Sequence, residues 1–257
     1  MILKIYFHIY YKIIELYFFY LKIYFYMLMV DSINIIYFTW INTNRNWKVI
    51  LYGQMYDLLV SNILENAKLY VILCNENENI LNEAKNYIYE VLNNVNRDII
   101  TIETTTQNLY EYYGIKKLYD LAKNEPNKLF VYLHGKGMYH WYNNNSNIRS
   151  EHEVILTKNT IYPWRDILDV FSKNQHITRI GFIPSHGGWL WFNFFWVRGN
   201  YLITCEDPSI TNNRYYYESW LSTGKRYDSE SYSLYTGNYT KFTAEQAIDI
   251  IYNTKVP

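Results

Sequence analysis

From residue 33 to residue 134 the chain alternates short apolar runs of strand length with segments of helical spacing, and this leaves few folds open. The runs at 33–39, 68–74, 98–103 and 128–134 are strand-like. Between them, apolar residues recur at helical intervals through Ile50, Leu51, Met55, Leu58 and Leu59, and again through Ile80, Leu81, Ala84, Ile88, Val91 and Leu92. A third helical segment spans 109–123. Strands joined by helical crossovers pair in parallel and are covered on both faces, which suits the continuous apolar run at 33–39. In such a sheet, ligands sit beyond the carboxyl ends of the strands. The loops after Thr39, Cys74, Glu103 and His134 therefore share one rim.

Past His134 the pattern changes. A polar loop at 143–147 precedes a helical stretch interrupted at Pro163, and a helix resumes over 164–173 with that proline at its first turn. Strands are expected at 178–183 and 192–197. Residues 207–231 are polar and aromatic with little periodicity, and Thr243-Ala-Glu-Gln246 is a capping box opening a last helix over 244–253. There are no repeats and no clear linker. The expectation is an α/β fold with a Rossmann-like, mainly parallel central sheet and a mixed second half. It forms one domain over 29–257, behind an apolar extension at 1–28.

That extension is almost wholly Tyr, Phe, Ile and Leu, with Lys4, Lys12, Glu15 and Lys22 scattered through it. Three origins are open: a membrane anchor, an ordered extension, or translated A/T-rich DNA ahead of a start at Met29. Glu15 and Lys22 weigh against an anchor, each costing about 2.5–3.5 kcal/mol near a bilayer centre. The 30 Tyr among 257 residues fit A/T-rich coding, whereas Trp does not, and Trp141, Trp164, Trp189, Trp191, Trp196 and Trp220 cluster in the second half. Charge is balanced at 24 basic and 24 acidic residues, which argues against a nucleic-acid partner. Cys74 and Cys205 have neither metal nor CxxC spacing, as suits a reducing, cytoplasmic setting. A genuine anchor at 1–28 would instead hold the chain at a membrane.

Four groups of residues carry chemistry. His134-Gly135-Lys136-Gly137 follows the most apolar strand; its glycines allow close backbone approach, Lys136 suits a diphosphate, and His134 can donate to a phosphate or ribose oxygen. Trp164-Arg165 opens a helix, where Arg165 reaches either a phosphate or a structural ion partner. Phe192-Asn193-Phe194-Phe195-Trp196 puts an Asn inside an apolar strand, behind the glycine-rich piece Ser185-His186-Gly-Gly-Trp189. A buried Asn must be hydrogen-bonded, to a ligand or to its neighbours. Arg214 and Glu218-Ser-Trp220 combine a carboxylate, an aromatic wall and a cation at helical spacing.

In this order these groups resemble a family of small GT-A-type glycosyltransferase-like proteins from polysaccharide gene sets of bacteria and large DNA viruses. Its members carry an HxKG loop, a Trp-Arg pair, a GNFWW-like strand and R…ExW. Phe192 stands where that family has Gly, and Phe195 where it has its first Trp. The resemblance implies transfer of a sugar from a nucleotide-diphospho-sugar to a hydroxyl of a glycan, lipid or protein. Donor binding would fall to His134, Gly135, Lys136, Gly137, Arg165 and Glu111, the last of these touching the nucleotide or capping a helix. Acceptor binding would fall to His186, Asn193, Trp196, Arg214 and Trp220, with Glu218 as catalytic base. The Asp-x-Asp that grips a divalent metal in most GT-A enzymes is replaced here by His134-x-Lys136. Mg²⁺ or Mn²⁺ dependence is therefore open, and no metal ligands are assigned. The other reading is a non-catalytic sugar- or nucleotide-binding protein on a decayed transferase scaffold.

Overall fold

The computed structural model describes residues 33–135, 148–224 and 230–255, together with Tyr10, Lys12 and Ile14; for Arg214 the description covers the backbone only. Lys136, Gly137 and nearly all of the 1–28 extension lie outside the described residues.

The first half follows the expected alternation. Strands β1 (Ile33–Trp40), β2 (Ala67–Cys74), β3 (Ile100–Thr105) and β4 (Leu129–His134) are linked by helices α1 (Trp47–Val60), α2 (Glu78–Val91) and α3 (Tyr112–Asn124). All four strands run parallel, with Ile33 opposite both Ala67 and Leu129. The second half adds α4 (Glu151–Ile161), α5 (Trp164–Lys173), β5 (Arg179–Gly181), β6 (Phe195–Arg198), α6 (Gly199–Leu202), α7 (Arg214–Ser219), β7 (Ser231–Ser233) and α8 (Ala244–Asn253). The described strands form a single seven-stranded sheet ordered β3-β2-β1-β4-β6-β5-β7. β6 is antiparallel to both neighbours, and β5 pairs in parallel with β7. The chain is thus an α/β protein with a mostly parallel mixed sheet flanked by helices.

Side chains alternate between the faces of the strands, as a pleated sheet requires. Ile35, Val71, Val131 and Trp196 join one core with Leu51 of α1, Leu81 of α2 and Phe171 of α5. Ile36, Ile72, Tyr132 and Phe195 point the other way, into a core with Leu118 of α3 and Trp220. A buried polar chain ties α1 to α4. Arg149 Nη1 donates to Asp57 Oδ2 at 2.6 Å, and Arg149 Nε donates to Glu153 Oε2 at 2.7 Å. Thr157 Oγ1 donates to Glu153 Oε1 at 2.7 Å, and Gln54 Nε2 donates to Thr157 Oγ1 at 3.1 Å.

Two expectations differ from the structure. Residues 192–194 do not belong to β6: residues 191–193 form a 3-10 turn in which Phe192 and Asn193 are left-handed, at φ 71° and 55°. Residues 207–231 are not wholly irregular, since α7, a 3-10 turn at 220–223 and the start of β7 fall within them. The capping box is present as expected: Gln246 N donates to Thr243 Oγ1, and Thr243 N donates to Gln246 Oε1.

Candidate functional site

β4 delivers His134 to the carboxyl rim of the sheet, and two contacts fix the backbone there. Gly135 N donates to Phe38 O at 2.8 Å, and Gln54 Nε2 donates to His134 O at 3.1 Å. The imidazole lies between two backbone turns. Its Nε2 is 2.9 Å from Phe192 O, and its Nδ1 is 3.8 Å from Glu111 Oε1. A carbonyl only accepts, so Nε2 carries a proton. Nδ1 faces a carboxylate oxygen.

Glu111 arrives from the opposite side. Tyr110, left-handed at φ 54°, turns the chain into α3, and Glu111 at the helix start makes no cap with its side chain. Its Oε2 instead accepts from Tyr132 Oη and from Asn193 Nδ2, each at 3.0 Å. Gly114 allows this close approach, because a Cβ there would lie 2.6 Å from Phe38 Cβ and 2.7 Å from Tyr132 Oη. Asn193 Nδ2 also donates to Tyr217 O at 3.1 Å, which joins α7 to the cluster. Burial and the Glu111 charge hold the Tyr132 phenol well above its usual pKa, so it remains a donor.

The cluster has a closed back and an open front. Tyr132 and Asn193 are buried, whereas the side chains of Glu111 and His134 each keep 16% of their surface. Three left-handed non-glycine residues, Tyr110, Phe192 and Asn193, surround it. Such backbone costs on the order of 1–3 kcal/mol per residue and persists only where its surroundings over-determine it. Phe192 occupies the place where the resembled family has Gly, the residue that takes this conformation without a steric penalty. Its side chain packs on the core.

The other candidates fall elsewhere. Glu218 is half-buried in α7, next to the Tyr217 carbonyl that holds Asn193. His186 is exposed in a tight turn at the same rim, closed by Ser185 N donating to Trp189 O at 2.9 Å. Trp196 and Trp220 are fully buried, with their indole N–H groups donating to Thr160 O and Glu206 O. They support the site as core and offer no face to a sugar. Arg165 is exposed and stacks on Trp164, 4.2 Å from the ring centroid. Trp164 Nε1 donates to Ser61 O, just past the C-terminal end of α1, which places Arg165 at the opposite edge of the sheet from His134. Arg214 opens α7, and Lys136 and Gly137 lie outside the described residues.

Sequence reading had missed Tyr132, although it lies two residues before His134 and so on the same face of β4. It had also missed Gln54, which no local pattern distinguishes. Among the described residues, no group of three His, Cys, Asp or Glu is placed to hold a metal ion. Glu111 and His134 supply two such groups, with one carboxylate oxygen already engaged by Tyr132 and Asn193. None of the described helices is long and apolar enough to cross a membrane. The fold and rim cluster define an α/β protein with a polar site at the carboxyl ends of its parallel strands. Neither a protein-family model nor a curated protein matches the chain.

Proposed function

We propose that the chain is a glycosyltransferase, moving a sugar from a nucleotide-diphospho-sugar to a hydroxyl acceptor on a glycan, lipid or protein. The observation that carries this reading is the polar pair His134 and Glu111, with Nδ1 3.8 Å from Oε1, at the open front of the rim cluster. A carboxylate and an imidazole side by side suit a ligand rich in hydroxyls, such as a ribose or a hexose. The sheet adds support, because a parallel βαβα half continued by a mixed half is what a GT-A-like fold implies. Phe192 adds more, since at the place of the family's glycine its backbone is left-handed, a conformation that glycine takes without a steric penalty.

In this reading Glu111 and His134 bind donor hydroxyls and Asn193 orients Glu111. Lys136 neutralises the diphosphate, and Glu218 takes the proton of the acceptor hydroxyl. A Lys can supply that charge without a divalent cation, so Mn²⁺ or Mg²⁺ enters as something to test.

The experiment is release of nucleoside diphosphate from a panel of nucleotide-sugars, with glycan acceptors, with and without Mn²⁺. Glu218→Gln should lower kcat by about 10²–10⁴, the usual worth of a general base, with donor binding kept. Glu111→Gln should weaken donor binding by roughly tenfold or more, the cost of about one charged hydrogen bond. A kcat loss in Glu111→Gln with donor binding unchanged would exchange the two roles. Donor binding without transfer to any acceptor would select the decayed-scaffold reading.

A further inference from the structure

Strand β3 ends the sheet, and its outer edge is open. It pairs with β2 in unbroken register on one side and with no described strand on the other. Thr101, Glu103 and Thr104 are exposed, while Ile102 is half-buried against the core that lines α1 and α2. Thr105 O accepts from Asn75 N at 3.2 Å, so the backbone of Thr105 faces β2. Backbone polar groups alternate sides along a strand. Those of Thr101 and Glu103 therefore also face β2, whereas those of Ile102 and Thr104 face outward, as does the carbonyl of Ile100. The Ile100 N–H is already given to Arg97 O. A groove borders this edge on each face of the sheet, one of about 450 Å³ towards Lys116 and Lys117 of α3, the other of about 560 Å³ towards Glu78 and Asn82 of α2. A second strand laid along β3 thus has room for side chains on both faces.

We propose that β3 pairs antiparallel with β3 of a second copy of this chain, about a two-fold axis at Ile102. The edge is self-complementary there, and that selects a copy over a foreign strand. Ile102 faces its own mate and exchanges both backbone bonds with it, and each Thr104 N–H donates to Ile100 O across the axis. The engaged Ile100 N–H is not needed. On the side-chain level, the two Ile102 cover each other's open flank, and Thr101 stands opposite Glu103. Each Glu103 keeps its ion pair with Lys117 of its own copy. The neighbouring two-fold register, centred on residue 103, sets two carboxylates directly opposite each other and is disfavoured. An open strand edge is otherwise a template for uncontrolled pairing, and a closed two-fold contact removes it. The inference is independent of the catalytic reading.

The test is sedimentation of the full 257-residue chain, of 31.2 kDa, over a range of concentrations. The wild type should sediment with the mass of two chains. Thr104→Pro removes an outward N–H that makes no bond to β2, a change that sheet edges tolerate. It should weaken the dimer by about tenfold or more, since each copy loses one hydrogen bond across the axis. A second readout fixes the register. Facing residues of a hydrogen-bonded antiparallel pair have Cα atoms about 5.5 Å apart, within disulfide reach. The two copies of residue 103 are offset along the strands beyond the ~7 Å limit. With oxidised glutathione, Ile102→Cys should therefore form a disulfide-linked dimer about tenfold faster than Glu103→Cys. Cys74 and Cys205 are buried and do not compete. A chain that stays monomeric would overturn the proposal, as would a dimer that Thr104→Pro leaves equally tight. Faster linking through Glu103→Cys would overturn it too, because it would show the register that opposes the two carboxylates.

Discussion

Asn193 is the residue on which the rim cluster turns. Its amide donates to a carboxylate on α3 and to a carbonyl on α7, from a left-handed backbone. Asn193→Asp would remove both donors and set a second carboxylate beside Glu111. It should cost about 3 kcal/mol or more of unfolding free energy by urea titration. Adding Glu111→Gln returns an amide to the pair and should recover much of that loss. Additive losses in the double variant would show that the two side chains do not interact. The sequence marked Asn193, Glu111 and His134 separately, by an Asn in an apolar run, a family position and a strand end. It could not show that they meet, because they lie on three different segments. Nor could it show the turn at 191–193, because an aromatic run reads as strand when the side chain that bends it is bonded across the fold.

At the scale of elements, α1 and α4 are joined through charge. Arg149 serves Asp57 and Glu153, whose side chains keep only 3% and 0% of their surface. Arg149→Met would leave two buried carboxylates without their cation, at a cost of about 3–5 kcal/mol. Glu153→Gln should cost less, since Asp57 still holds the guanidinium. Equal losses in thermal melts would contradict this ordering. Gly53 belongs to the same joint: a Cβ there would lie 2.2 Å from Arg149 Cδ. Arg149 is held at both ends and cannot swing clear, so Gly53→Ala should destabilise by about 1–3 kcal/mol. A neutral melt for Gly53→Ala would mean that Arg149 is less fixed than its three hydrogen bonds indicate. The helices α1, α2, α3 and α5 were legible because each has its own apolar face or its own proline start. This joint was not, since its partners lie 92 residues apart.

At the scale of the molecule, both thiols resist ionisation. Burial pushes Cys74 up to about 11 and Cys205 up to about 12. An unfolded thiol titrates near ~8.5. The stabilising contribution is therefore full below that pH and is lost as pH rises towards the folded values. Each thiol should cost about 1.4 kcal/mol per pH unit above the unfolded value. Urea midpoints should fall between pH 7.5 and pH 10, and Cys74→Ala with Cys205→Ala should flatten that fall. An unchanged slope in the double variant would place its origin elsewhere. The succession of strands and helices in the parallel half was largely legible, because strand-length apolar runs alternate there with helical spacing. The reversal at β6 and the addition of β7 were not, since three- and four-residue strands leave almost no periodic signal. The central strand β1 has a further consequence, for biosynthesis. One of its edges waits for β4, which the ribosome makes about 100 residues later, on the order of 5–20 s at ordinary elongation rates. During that interval the nascent chain carries an open, largely apolar strand edge, the kind of surface that chaperones shield and that crowded, rapid expression turns into inclusion bodies.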